Sequence, residues 1–69
     1  MNNKTLKAAQ IRKAIGLFYG LKYAKSWQKD MDKPTMIIAG DVIIGTQRYL
    51  LVSRLIGERM VKDGFQAVK

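Results

Sequence analysis

The sequence predicts an all-α fold: a small helical domain of two long helices, joined through a segment at residues 35–45 that reads as either a short helix or a small β-hairpin. Three observations carry this expectation. Residues 4–31 hold no proline and are rich in helix formers, among them Leu6, Ala8, Ala9, Lys13 and Ala14. Residues 46–64, "TQRYLLVSRLIGERMVKDG", space Arg54/Glu58 and Glu58/Lys62 for i,i+4 ion pairs and close on Gly64, which suits a helix end. Between them, "KDMDKPT" is punctuation, because Pro34 disfavours helix at Lys33 while Asp30 and Asp32 are turn or cap residues.

In chain order, the first helix has Asn3 or Thr5 to cap it. Wound at about 100° per residue, it gathers Leu6, Leu17, Leu21, Ala24, Trp27 and Met31 on one side and Lys4, Lys7, Lys22, Lys25, Lys29 and Lys33 on the other. Ile11, Ile15 and Phe18 intrude on the lysine stripe, so its central turns are covered on more than one side. The segment "MIIAGDVIIG" fits two short strands turning at Gly40-Asp41, or a short helix stopped by Gly40 and a second one capped by Asp41. Its β-branched residues favour strands, while the lack of strict polar alternation tips the balance slightly to helix. The second long helix has Thr46 as a cap and is apolar nearly all round, through Tyr49, Leu50, Leu51, Leu55, Ile56, Met60 and Val61.

One domain, residues 1–69, is expected, with no repeat or linker. A chain this short buries only about 60% of the surface its unfolded form exposes, so it is expected to act as an oligomer. Gly16, Gly20 and Ala24, spaced i, i+4, i+8, offer a small-residue ridge for a second helix, the preferred reading over a helix that simply breaks at Gly16 or Gly20, and Leu50 and Ile56 extend that interface from the second helix.

Composition narrows the function. There is no cysteine and no histidine, so neither a disulfide framework nor a zinc, iron or copper site is expected, and no cofactor is implied. The five carboxylates form no recognisable acid/base constellation, and Gly16 to Lys22 is not a phosphate loop because no Ser or Thr follows the lysine, so the chain is not read as an enzyme. No signal peptide or spanning segment is evident, which gives a cytoplasmic expectation. A lysine-rich helix with Trp and Tyr would suit an anionic membrane surface, but the apolar residues of the second helix are distributed for protein packing, which argues against a membrane partner.

Charge supplies the positive lead. The formal net charge is +8, and residues 1–29 carry seven bases (Lys4, Lys7, Arg12, Lys13, Lys22, Lys25, Lys29) and no acid. Such a field suits nucleic acid. Lys22, Lys25, Lys29 and Lys33, supported by Lys4 and Lys7, are the expected phosphate contacts, with Arg48 or Arg54 adding base readout. Tyr19, Tyr23 and Trp27 interleave with these lysines; such spacing more often marks core packing, but exposed rings would stack on bases. "VSRLIGERMVKDGF", residues 52–65, resembles the recognition helix of a winged-helix regulator, which implies phosphate and base contacts by Ser53 and Arg54. The upstream "GTQRYLL" departs from that pattern. The expectation is therefore a small basic DNA-binding protein of the architectural or regulatory kind found in phages, plasmids and bacteria. The alternative is a self-assembling subunit or small inhibitor docking on an acidic partner.

Overall fold

A computed structural model describes residues 5–68. It replaces the all-α expectation with an α+β fold, ordered α1 (Ala8–Lys13), β1 (Gly16–Phe18), α2 (Leu21–Lys29), β2 (Thr35–Ile43), β3 (Thr46–Ser53), α3 (Arg54–Lys62) and β4 (Gln66–Val68). The strands form one antiparallel sheet in the order β1-β3-β2-β4.

Alternation along the central strands sorts the core into two clusters. Ile38, Leu50 and Val52 pack with Leu6, Met60 and Phe65, joined by half-buried Ile11, Ala14 and Ile56. Ile37 and Leu51 instead pack with Ala24, flanked by Phe18, Leu21, Met31, Tyr49 and Val68. Successive strand residues point to opposite faces, so α1 and α3 cover one face of the sheet and α2 alone covers the other. This is why β2 and β3 lack polar alternation. The runs "MIIA" and "YLLV" are strands covered on both sides, and a continuous apolar run is what such strands require.

The second long helix is therefore half strand. Residues 46–53 pair with β2, from Thr46 opposite Ile43 to Ser53 opposite Thr35, and the helix begins only at Arg54. Its cap is Ser53, whose Oγ accepts the Ile56 amide at 3.4 Å, rather than Thr46. It closes in a Schellman turn: Gly64, at φ +105°, donates to Val61 O at 3.0 Å, and Phe65 donates to Met60 O at 3.0 Å. Inside this helix Gly57 permits close approach to the sheet, since a Cβ there would stand 2.6 Å from Met36 Sδ and 2.8 Å from Met36 Cβ.

The first helix is also divided. Gly16 lies in β1 and Gly20 is the N-cap of α2, so Gly16, Gly20 and Ala24 do not form a ridge along one helix. Ala24 and Leu50 are wholly buried within the chain and Ile56 is half-buried against its core, so the expected subunit interface loses its geometric basis.

The β2-β3 hairpin turns not at Gly40-Asp41 but at Ile44-Gly45, where both residues have positive φ, 49° and 74°, as a two-residue type I′ connection demands. Gly40 and Asp41 lie at a register shift in β2, and the Gln47 side chain serves the irregular backbone by donating to Gly40 O at 2.6 Å and Arg48 O at 3.0 Å.

Candidate nucleic-acid interface

The face that α2 turns to solvent is the strongest candidate site. Leu21 and Gln28 are half-buried and Ala24 is fully buried, which fixes the inward side of the helix. At about 100° per residue, the opposite side is divided into two flanks. One carries Lys22, Lys25 and Lys29, all exposed; the other carries Tyr23 and Trp27, which are 59% and 57% exposed.

The aromatic flank is held in position from beneath. Trp27 meets the half-buried Phe18 ring with centroids 6.0 Å apart at an interplanar angle of 50°. One edge of the Tyr23 ring comes against the bare backbone of Gly20, where a Cβ would stand 2.9 Å from Tyr23 Cδ2 and 3.2 Å from Cε2. Lys22 Nζ sits 5.5 Å from the Tyr23 ring centroid, so charge and π-face are presented together. The first turn of α2 holds Lys22 and no acid, which sets a cation against the positive end of the helix dipole.

Past the helix the exposed Asp30 and Asp32 interrupt the lysines, and two further cations stand beyond them. Lys33 is exposed and shares a shallow depression with Pro34, Ser53, Arg54, Leu55 and Glu58, an end-to-end meeting of β2 and α3 that the Arg54 amide closes by donating to Pro34 O at 3.2 Å. Arg54 is exposed and makes only a long contact, 3.9 Å, with Glu58. Lys22, Lys25, Lys29, Lys33 and Arg54 are thus all exposed on α2 or at the sheet end reached through its C-terminal connection.

The other expected contacts fall elsewhere. Lys7 caps α1, whose apolar residues pack on the face opposite α2, and Lys4 lies outside the described residues. Arg48 is committed to structure: its Nε and Nη2 donate to the Asp41 carboxylate at 2.5 and 2.8 Å, and Asp41 also accepts the Leu6 amide at 3.0 Å. The guanidinium holds the Asp41 carboxyl below its ordinary range against the opposing push of burial, and the Leu6 amide adds to the lowering. Asp41 in turn raises Arg48, with a smaller contribution from the Tyr19 phenol. Tyr19 precedes α2, between it and β1, and so does not share the α2 flank of Tyr23 and Trp27.

Sequence reasoning set Trp27 on the apolar side of a long helix and inclined to bury all three aromatics. The deciding signal is Gly20, the break weighed against the small-residue ridge: a helix starting there needs only Leu21, Ala24 and Gln28 to face inward, which leaves Tyr23 and Trp27 outside. Nor does the structure place Ser53 and Arg54 in a winged-helix setting, since β3 stands directly upstream of α3. Among the described residues no helix is long and apolar enough to cross a membrane, and no cluster of His, Cys, Asp or Glu is arranged to hold a metal ion. No protein family, curated protein or solved structure matches this chain.

Proposed function

We propose that the chain binds nucleic acid through the solvent face of α2, with Lys22, Lys25 and Lys29 neutralising phosphates and Lys33 and Arg54 extending the contact. One observation carries the reading: three exposed lysines line one side of a nine-residue helix without an acid, and the first of them opposes the helix dipole. An ion-paired solubilising face interleaves both signs. A face of one sign, destabilised at its N-terminal turn, gains from an anionic partner what it lacks alone. Between Lys22 and Lys29 the helix rises about 10 Å, a span of about three nucleotide steps at 3.4 Å each.

This binding is expected to be electrostatic and largely indifferent to sequence, because Arg48, an expected base-reading side chain, is engaged by Asp41. Titration of duplex and single-stranded oligonucleotides at several salt concentrations tests it. Affinity should fall steeply with salt. Replacing Lys22, Lys25 and Lys29 by Gln should reduce the log–log slope by about 2 to 3, since each phosphate left without its lysine takes about 0.7 to 0.9 from the slope. Undetectable binding at low salt, or an unchanged slope in the triple variant, refutes the proposal.

A further inference from the structure

We infer that the α2 face is built for single-stranded nucleic acid, with one unstacked base lying on Trp27 and another on Tyr23. This rests on the proposed function and adds to it the class of ligand. Lysines alone do not distinguish duplex from single strand, since both offer phosphates. Exposed rings do. A base in a duplex has both faces covered by its neighbours, whereas an unpaired base has a face free to stack on a side chain.

Three features converge on this use. Tyr23 and Trp27 stand one helical turn apart on the same flank, with their Cα atoms about 6 Å apart along the axis. That exceeds the roughly 3.4 Å repeat of a continuous stack, so each ring takes its own base. Both rings have a neighbour that steadies them, the tilted Phe18 ring against Trp27 and the Cβ-free Gly20 against one edge of Tyr23, so stacking orders little that is not already ordered. The lysines run along the adjacent flank of the same helix, where a backbone carrying the two stacked bases would pass. The lipid alternative lacks an aliphatic contribution: the outward residues are Lys22, Tyr23, Lys25, Ser26, Trp27 and Lys29, while Leu21 and Ala24 face the sheet.

Trp27 is the only tryptophan, so its fluorescence reports the site directly in every chain that keeps it, and anisotropy of a fluorescently labelled oligomer measures the Trp27 variants on the same scale as the parent. The intact chain is titrated with a deoxythymidylate oligomer about a dozen nucleotides long, with a duplex of equal length, and with vesicles containing anionic phospholipid. The expected result is quenching of Trp27 by the single strand at concentrations well below those needed for the duplex, and no response to vesicles. Tyr23→Ser and Trp27→Ala should each weaken single-strand binding about 5- to 100-fold, leave duplex binding within about twofold and preserve the salt slope. Trp27→Phe, which keeps a ring against Phe18, should retain most single-strand affinity, and circular dichroism of each variant reports whether the fold survives. Equal affinity for duplex and single strand, with no loss in Tyr23→Ser, overturns the inference while leaving the electrostatic proposal standing. Loss of salt-dependent binding to both nucleic acids overturns both, and a fluorescence response to vesicles alone overturns both in favour of a lipid surface.

Discussion

Replacing Arg48 by Met should nearly unfold this protein, and the reason lies in Asp41 rather than in Arg48. Asp41 is 6% exposed, and its carboxylate is satisfied by two guanidinium hydrogen bonds and the Leu6 amide. Methionine preserves much of the packing of the arginine stem but removes the only cation bonded to the buried carboxylate among the described residues. Breaking one side of a buried pair costs about 3–5 kcal/mol, because the remaining charge stays desolvated. A domain of this size has a total stability of roughly 3–10 kcal/mol, at about 0.05–0.15 kcal/mol per residue, so the loss is comparable to the whole.

The second half of the cycle isolates the cause. In the Asp41→Asn background a side-chain oxygen still accepts the Leu6 amide, and Arg48→Met then removes a largely buried cation that has lost its carboxylate and leaves no charge buried, so it should cost no more than about 1–2 kcal/mol there. Urea denaturation followed by circular dichroism measures all four proteins. If Arg48→Met costs the same in both backgrounds, the burial argument fails. The pH dependence adds an independent sign. In the parent chain the depressed Asp41 pKa contributes stability that is present above its ordinary value of 3.8 and is lost as pH falls through the lower folded value. In Arg48→Met, burial without a counter-charge raises that pKa instead, so stability from this group should be greatest in acid and decline as pH rises. A variant whose midpoint still falls on acidification to the same extent would contradict this.

Three further outcomes follow from the geometry. Ile44 is a β-branched residue at φ 49° and is 97% exposed, so Ile44→Asn removes left-handed strain without losing burial; it should stabilise the fold by about 1 kcal/mol and raise the melting temperature by about 4–8 °C. A lower melting temperature would mean that the Ile44 side chain is stabilised by contacts outside the turn. Gly57→Ala should gain about 1 kcal/mol of helix propensity but lose about 1–3 kcal/mol to overpacking against Met36, a net destabilisation that Met36→Ala partly relieves; additive effects of the two changes would exclude the contact as the cause. Ser53→Ala, which removes the Oγ acceptor of the Ile56 amide, should cost about 1 kcal/mol in thermal unfolding, and no change would show that the cap is not formed.

Much of the punctuation was legible in the sequence while the element types were not. Pro34 does mark the entry into a new element and Gly64 does end a helix, because both act through local backbone geometry that no tertiary contact has to supply. The segment "TQRYLLVS" failed for the opposite reason. Burial of Leu50, Leu51 and Val52 on alternate faces leaves no polar side to reveal a period of two, and helix and buried strand then look alike over a few residues. Asp41 shows the same limit for polar residues. Its partners, Leu6 and Arg48, stand 35 and 7 positions away, so a residue read locally as a turn former or cap is in fact the buried acceptor that ties the chain's start to the hairpin.

The candidate site divides along the same line. The acid-free run of lysines could be read from composition, because exposure is the default for lysine and needs no fold to predict it. The aromatic flank could not, since Tyr23 and Trp27 are residues whose default is burial. Whether they face in or out depends on where α2 begins and on what lies beneath it. Gly20 starts the helix, Ala24 is small enough to let it settle on Ile37 and Leu51, and Phe18 rises from β1 to support Trp27 at its edge. With the short Ala24 side chain filling the inward position, there is no gap under α2 for a ring of indole size. Enlarging that position should therefore act on the site through packing: Ala24→Leu overfills a fully buried contact and should cost about 1–3 kcal/mol by urea denaturation, while tilting the flank that carries Tyr23 and Trp27. If that variant binds a single-stranded oligomer as tightly as the parent and unfolds at the same urea concentration, the inward contact at Ala24 does not set the aromatic face.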